Sequence, residues 1–429
     1  MSKLIHSTLE KICLPEKGSI ISGPFGSNIS SKYFVASGIP VIRGNNLSLT
    51  YDKFYDDGFV FVTPEKAEEL KCYAIRGDLI FTAAGTLGQV GIIPKNSIYD
   101  TYVISNKQIR ARLDSGKIDL LYAFYWFSSP WIQKILKNNN KGSTVPLLTL
   151  AEVKSLPIVY PESLEEQRRI AKCIDEFSLK IENNNAINDN LAQMLRLLYE
   201  QWFYRFEFPN EQNLPYNRTN GELEWNDKLK RHIPKGWKVQ TMLSNELFSV
   251  ISSGVDRFST KKYYATADII GTSIGEGSDI EYETRESRAN MQPVINSVWF
   301  AKMKNSIKHL FLNKEMSSFV DNSILSTGFY GLKCREISFE YIASVVSAPI
   351  FEITKDRLSH GATQQGIGDD DMANITLLIP DDATLCKYHE ATKGFFAKIS
   401  NNILENKRLI AIRNFLLPLL MNGQATIVG

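Results

Sequence analysis

Cysteine is scarce, long apolar runs are missing and neither sign of charge dominates. The 429 residues include 5 cysteines, and 49 Lys+Arg stand against 47 Asp+Glu for a formal net charge of +2. Cys13, Cys72, Cys173, Cys334 and Cys386 are odd in number, widely scattered and never form C-x-x-C. That pattern disfavours a disulfide framework and a structural zinc, and fits a reducing cytoplasm. No run approaches the roughly 20 apolar residues of a membrane span, and the opening "MSKLIHSTLEKICLPEKG" lacks the apolar stretch of a signal peptide. Secretion and membrane insertion are therefore not expected. The balanced charge excludes an overwhelming basic field while leaving room for local basic faces.

Enzyme motifs are equally sparse. "KGST" at 141–144 shares letters with a phosphate loop but lacks its glycine spacing. His6, His232, His309, His360 and His389 have no spacing that sets two imidazoles on one metal. "NLPY" at 213–216 is similar to the adenine-gripping turn of N6-adenine methyltransferases, yet the strand and Gly-rich loop that such enzymes need upstream are missing. It lies in "PNEQNLPYNRTNGELEWND", which reads as a turn-rich linker. "GDDDM" at 368–372 offers carboxylates to a magnesium ion, but acidic residues also suit a helix N-terminus. "GDLIFTAAGTLGQVG" at 77–91 is flanked by strand patterns and reads as a β-hairpin rather than a nucleotide loop. No catalytic residue, cofactor or metal site is expected.

What is present is a repeat. Residues 128–161 align without gaps on 347–380, a shift of 219, matching Pro130 with Pro349, Gly142 with Gly361 and Pro161 with Pro380. Beyond them "KIENN" meets "KISNN" at a shift of 218, which places one lost residue inside the following helix and sets His389 at the position of Ile170. The chain reads as a diverged tandem duplication, and its length and 43% hydrophobic content allow two or three separate cores.

Each half contains two kinds of segment. Ile170, Ile174, Phe177, Ile181, Asn184, Asn188, Leu191, Leu195, Leu198 and Trp202 follow an unbroken 4-3 spacing, the pattern of a coiled-coil seam. Ser163 with Glu166 forms a capping-box signature after Pro161, and Pro209 blocks the far end, so one helix of about 60 Å is expected over 163–205. Ile399, Ile403, Ile410 and Leu417 make a second stripe, ended by Asn422-Gly423, with Arg413 at the place of Leu195. The two helices are expected to pack on each other, with Asn184, Asn188, Asn402 and Asn406 fixing the register. Burial of both stripes in a helical bundle is the plainer reading, but their length and duplication favour a spacer. The remaining segments, such as "PVIRGNNL" and "TYVISNKQIRARL", are short β-branched and aromatic runs broken by Gly, Asn, Asp and Pro, hence strands and turns. The spacing of "ISFEYIASVVSAPIFEITKDRL" predicts a helix.

The expected fold class is therefore α+β: two tandem-duplicated α+β domains with two long helices packed as an antiparallel coiled coil. The boundaries are 1–160 and 209–380 for the domains and 161–208 and 381–429 for the helices. Polar and basic loops accumulate in both domains and suit phosphate and base-edge contacts. The first offers Arg43, Asn45, Asn46, Lys107, Arg110, Lys141, Ser143 and Thr144. The second offers Lys261, Lys262, Lys302, Lys304, Arg357, His360, Thr363, Gln364 and Gln365.

Taken together, "ISGPFGSN…PVIRGNNL", "GDLIFTAAGTLG", "KGSTVPLLTLAEVKSLPIVYPESLEEQRRIAKCID", "IPKGWKV" and "LSTGF" resemble the specificity subunit of a type I DNA restriction-modification system. The resemblance covers nearly the whole chain, and its most telling element is P-x-x-x-x-E-Q-x-x-I at Pro161, Glu166, Gln167 and Ile170. It implies two target-recognition domains, each reading one half of a split double-stranded DNA site. It further implies two methyltransferase subunits and motor-nuclease subunits as partners, and no catalytic centre in this chain. Glu166, Gln167, Arg168 and Arg169, near the helix cap, are the expected partner-binding residues. The second copy has "CKYHEA" for "EQRRIA" and "NSVWFAKM" near the place of "GDLIFTAAG", so the two domains are expected to read different sequences. A helical spacer of roughly 45 to 60 Å would match one to two DNA turns of about 34 Å. Two other readings stand beside this one: the specificity chain of a fused nuclease-methyltransferase, and a coiled-coil scaffold that binds only protein.

Overall fold

The computed structural model describes residues 3–138, 147–361 and 365–427. The chain divides into two units, one of residues 1–180 with 409–429 and one of 181–408. Each unit therefore takes part of both long helices.

In the first unit an antiparallel sheet runs in the order Ile20–Ser22, Gln108–Ala111, Leu79–Thr82, Val90–Ile92. A second sheet runs Val60–Val62, Ile39–Ile42, Thr101–Ile104, Tyr73–Ile75, and its central pair is parallel. The expected hairpin over 77–91 is the pair Leu79–Thr82 and Val90–Ile92. Helices Leu120–Phe127 and Pro130–Asn138 follow, and strand Pro157–Pro161 returns beside Leu4–Thr8 to lead into the first long helix.

The second unit repeats both four-stranded sheets and adds a short pair, Ile269–Ile270 with Ser273–Ile274. Phe248–Val250, Phe329–Cys334, Ser297–Ala301 and His309–Leu312 form the antiparallel sheet. Ser278–Glu281, Thr260–Tyr264, Ser323–Ser326 and Ala289–Met291 form the mixed one, again parallel at its centre. Lys238–Thr241 pairs with Thr376–Ile379 ahead of the second long helix. Identical order and direction in both units mean that the duplication conserves topology where sequence identity has faded. Two local expectations change. The segment expected as one helix over 337–358 is two, Phe339–Ser347 and Pro349–Leu358, because Pro349 lacks the N–H that continuation requires. The linker after Pro209 is also not merely turns: Leu223–Asn226 pairs with Arg231–Pro234, and Phe208 stacks on Tyr216 and Trp237.

The first long helix spans Leu164–Tyr199, followed by a π-turn over Glu200–Tyr204, and the second spans Asp382–Met421. The two caps correspond: the Glu166 N–H donates to Ser163 Oγ at 3.4 Å and the Thr384 N–H to Asp381 Oδ1 at 2.8 Å. With starts at Leu164 and Asp382, the shift is already 218 at the first helical residue. The lost residue thus belongs to the turn before the helix, not to the helix, and Tyr388 rather than His389 takes the place of Ile170. Tyr388 is buried accordingly, while His389 bonds Glu340 at 2.7 Å.

Packing along the helices differs between units. In the first, Ile170, Ile174, Leu417, Leu420 and Met421 enter the same core as Leu79, Phe81 and Phe124. Arg413 is buried there too, donating to Ser178 Oγ at 3.1 Å with its guanidinium 4.3 Å from the Tyr51 ring centroid. In the second unit, Leu195, Phe396 and Ile399 are core, with Leu191, Leu198 and Ile403 packed against them. Phe177, Ile181 and Ile410 are half-buried. Between these apolar stretches lies a polar rung: Asn184 Nδ2 donates to Asn406 Oδ1 and Asn402 Nδ2 to Asn188 Oδ1, each at 2.8 Å. As one residue number rises the other falls, so the helices are antiparallel. At the shift of 218, Asn184 and Asn188 become Asn402 and Asn406, so the contact is self-complementary, as an isologous one must be.

Lys407, half-buried on the second long helix, meets the Tyr264 hydroxyl and sits 4.4 Å from that ring centroid. Burial, reinforced by the charge of Lys262, lowers its pKa from 10.5 to about 8.

Three outcomes are expected. Asn184→Ala leaves the buried Asn406 amide short of a partner and costs about 1–3 kcal/mol in denaturant unfolding. Replacing all four rung residues, Asn184, Asn188, Asn402 and Asn406, by Leu recovers that stability but loses unique register, read as mixed oligomers on gel filtration. Because the folded chain gives up the Lys407 proton before the unfolded chain does, this residue makes stability rise with pH between about 8 and 10.5; thermal melts of Lys407→Met should show a flatter rise.

Candidate nucleic-acid interface

The parallel strands Ile39–Ile42 and Thr101–Ile104 deliver two loops to one edge of the first unit. The Ser105 N–H donates to Ile42 O at 3.0 Å, and Gln89 Nε2 donates to Gly44 O at 2.9 Å and Leu47 O at 3.1 Å. A third loop, Gly23–Ile29, is tied to the same turn by the Gly23 N–H donating to Gln108 O at 2.8 Å. Arg43 Nη2 and Asn45 Nδ2 both donate to Gly58 O, each at 3.3 Å, and Lys107 is exposed beside them. Arg43, Asn45 and Lys107 thus share one rim.

Asn46 and Arg110, expected on that surface, are not available to DNA. Asn46 is 0% exposed and holds the loop from within, donating to Tyr55 O at 2.9 Å and Asp57 O at 2.8 Å while accepting from the Arg43 N–H. Arg110 is buried, with Nη2 donating to Gly18 O at 2.9 Å; burial lowers its pKa, partly opposed by Asp78. Lys141, Ser143 and Thr144 lie outside the described residues; just after them the Leu148 N–H donates to Ala83 O at 2.8 Å, next to the turn that carries Lys107.

In the second unit the turn over 302–308, between Ser297–Ala301 and His309–Leu312, is stitched to residues 359–361 and 365–367. The Ile367 N–H donates to Lys302 O at 3.0 Å, the Lys304 N–H to Gln365 O at 2.9 Å, and Lys304 Nζ to Gln365 Oε1 at 2.9 Å. The His360 N–H donates to Gly366 O at 3.1 Å, so Lys302, Lys304, His360 and Gln365 form one polar surface. Thr363 and Gln364 lie outside the described residues, and Arg357 is exposed on Pro349–Leu358. Lys261 and Lys262 belong elsewhere, on strand Thr260–Tyr264, where Lys262 pairs with Asp279 at 2.9 Å.

Beneath this turn is a set of residues that sequence reading passed over. Lys355, 0% exposed, donates to Ser306 O at 3.0 Å and pairs with Glu352 at 2.5 Å, which in turn bonds His309 at 2.9 Å. His309 and Lys355 together hold the Glu352 pKa below the usual carboxylate value against its burial, which acts the other way. Glu352 and Lys355 are three apart on a helix, the only trace of this prop in the sequence. The acidic "GDDDM" segment is also committed internally: Asp369 accepts from the Tyr330 hydroxyl at 2.7 Å and Asp371 from the Gly368 N–H at 2.8 Å. Among the described residues no group of three His, Cys, Asp or Glu side chains could hold a metal ion, and no single helix is long and apolar enough to cross a membrane. Burial pushes the Cys13 thiol up to about 12 and Cys72 to about 11, far from thiolate chemistry.

Of the residues expected to meet partners, Arg168 and Arg169 are exposed at the start of the first long helix. Arg168 lines a 480 Å³ cleft with Lys95, Lys172, Ile118 and Leu121. Gln167 contradicts its expectation. It is 0% exposed, its Oε1 accepts from the Asp119 N–H at 2.7 Å, and its Nε2 donates to Pro161 O at 2.8 Å and Lys117 O at 3.4 Å. Each of these bonds joins helix and domain, and the amide is buried away from any other subunit.

Comparison with known proteins agrees with this architecture. The family model described as the type I restriction modification DNA specificity domain matches residues 19–193. The type I restriction enzyme MjaIX specificity subunit of Methanocaldococcus jannaschii is 28% identical over 369 residues, covering 81% of this chain and 78% of that protein. The HindI specificity subunit of Haemophilus influenzae is 21% identical over 76% of this chain and 82% of its own length. The crystal structure of a type I restriction-modification S subunit from M. genitalium shares the fold, with a TM-score of 0.55 at 13% identity over 98% of this chain and 96% of that one. With two units of one topology and a long helix after each, the chain is similar along most of its length to type I restriction enzyme specificity subunits, and residues 19–193 match the model of their DNA specificity domain.

Proposed function

We propose that this chain is the non-catalytic reader of a type I complex: the first unit reads one half of a bipartite double-stranded DNA site, the second reads the other, and partner subunits carry out adenine methylation and restriction. The observation that carries the reading is the recurrence, on two units of identical strand order, of a stitched polar rim bearing exposed or half-exposed cations. Lys107, Lys302, Lys304 and Arg357 are assigned to phosphates, and Asn45 and Gln365 to base edges, where an amide pairs with adenine. Different rims on the two units, one built on Arg43 and Asn45 and the other on Lys304 and Gln365, predict unlike half-sites.

Two methyltransferase subunits and the motor-nuclease subunits are the proposed partners. Arg168 and Arg169, with Glu166 beside them, are the proposed contacts on the first long helix, and the cleft beside Arg168 supports this by joining an apolar floor to the cations of Lys95 and Lys172.

Selection of random duplexes by the purified methyltransferase-plus-specificity complex, followed by sequencing, should return a bipartite motif; a pool without one would sink the proposal. Replacing residues 209–380 with those of a relative should change one half of that motif only. Lys107→Ala and Lys304→Ala should weaken binding evenly across sequences and reduce the slope of log K against log salt by about 1 each. Asn45→Ala should instead relax one base position, at a cost of about 1–3 kcal/mol. Gln167→Ala should destabilise the first unit by about 1–3 kcal/mol in thermal or denaturant unfolding, since it strips a partner from the half-buried Asp119 N–H and from Pro161 O.

A further inference from the structure

Phe25 is 85% exposed, the most exposed large hydrophobic side chain among the described residues. Single apolar residues on a surface are ordinary, but this one is displayed by a loop with little freedom to fold the ring away. The Gly23 N–H is bonded to Gln108 O, and a Cβ on Gly23 would lie 1.8 Å from Ser105 O, so only glycine allows the backbone to press so closely on that turn. A Cβ on Gly26 would come within 3.0 Å of Asn106 Nδ2. The Asn28 N–H closes the loop onto Phe25 O at 2.8 Å, and buried Ile29 anchors its end. The ring is thus presented by a loop packed on the turn that carries the exposed Asn106 and Lys107, the turn already assigned to DNA.

The second unit carries a chemically similar tip made from other residues. Ile270 is 76% and Ile307 62% exposed. Their segments are joined by the His309 N–H donating to Gly271 O at 2.9 Å, and Lys304 stands in the same turn as Ile307. An apolar tip next to a cation therefore occurs on both rims, although the loops share no sequence there.

We propose that Phe25 is a wedge that the first unit inserts into the base stack of its half-site, with Lys107 holding the neighbouring phosphate. Aromatic and aliphatic side chains placed this way unstack a base step and kink the duplex, and the ring recovers part of that cost by stacking on a base. The inference rests on the DNA-reading role proposed above and adds a specificity element to it: a step that unstacks easily, such as a pyrimidine–purine step, is favoured at the wedge without any hydrogen bond to its edges.

The test uses the assembled methyltransferase-plus-specificity complex and a duplex carrying the selected motif, with 2-aminopurine placed at successive positions. The native complex should raise the fluorescence at one step of the first unit's half-site. Phe25→Ala should abolish that rise and weaken binding about ten- to a hundred-fold, the loss typical of one base–aromatic stack. Phe25→Trp should preserve both, and Lys107→Ala should weaken binding while leaving the fluorescence rise in place. A Phe25→Ala complex that binds and perturbs the probe like the native one overturns the wedge, and so does a variant that instead fails to assemble with the methyltransferase on gel filtration. If the selection itself returns no motif, the DNA-reading role fails first, and the wedge with it.

Discussion

An apolar stripe along a helix of 36 residues has to be covered, and here the cover is a second long helix from the far end of the chain. Hydrophobic burial supplies most of the attraction but is indifferent to sliding, since one turn up or down still sets leucine against isoleucine. Direction and register come from the asparagine rung. Asn184 meets Asn406 and Asn188 meets Asn402 only when the helices run oppositely and at one offset. Any other offset leaves buried amides without partners, a penalty larger than the modest gain from each bond made.

The same logic of committed polar groups governs the rims. A loop that reads DNA needs a fixed backbone and free side-chain tips, and the two requirements fall on different residues. In the first unit, Asn46 fixes the backbone and Asn45 is exposed; in the second, Lys355 fixes it from below and Lys304 sits at the surface. Neighbouring residues of the same type thus have opposite fates, decided by which one reaches the carbonyls of a distant segment. Gln167 repeats the pattern at the helix base, where one amide ties the strand end at Pro161 to the helix start at Asp119.

This division explains what could be read from the sequence. The long helices, the duplication, the α+β class and the hairpin at 77–91 were legible because each rests on periodicity or on short-range turn chemistry. The asparagine rung was legible because polar residues interrupt an otherwise apolar seam. The fate of Asn46, Arg110 and Gln167 was not, because their partners are carbonyls and N–H groups that only the fold brings near: Arg110 reaches Gly18, 92 positions away. The position of the lost residue was misjudged for a related reason. Letters align equally well on either side of a helix cap, whereas the Ser163 and Asp381 caps fix the point at which the shift becomes 218. Phe25 carries no such signal, because the exposure of one aromatic side chain depends on where its loop is tied down and not on its own letter.

The core of the first unit is finished by Leu417, Leu420 and Met421, which follow its own residues by more than two hundred positions, whereas the second unit draws on 181–408 alone. A ribosome emits the chain from one end only. The first unit therefore cannot close its interior until the last turns of the second long helix exist, although all its other core residues are made first. Until residue 421 has emerged, the early domain presents Ile170 and Ile174 with no helix to cover them. A lesion in the last turns of the second helix is thus a lesion of the first domain's interior, more than two hundred positions upstream.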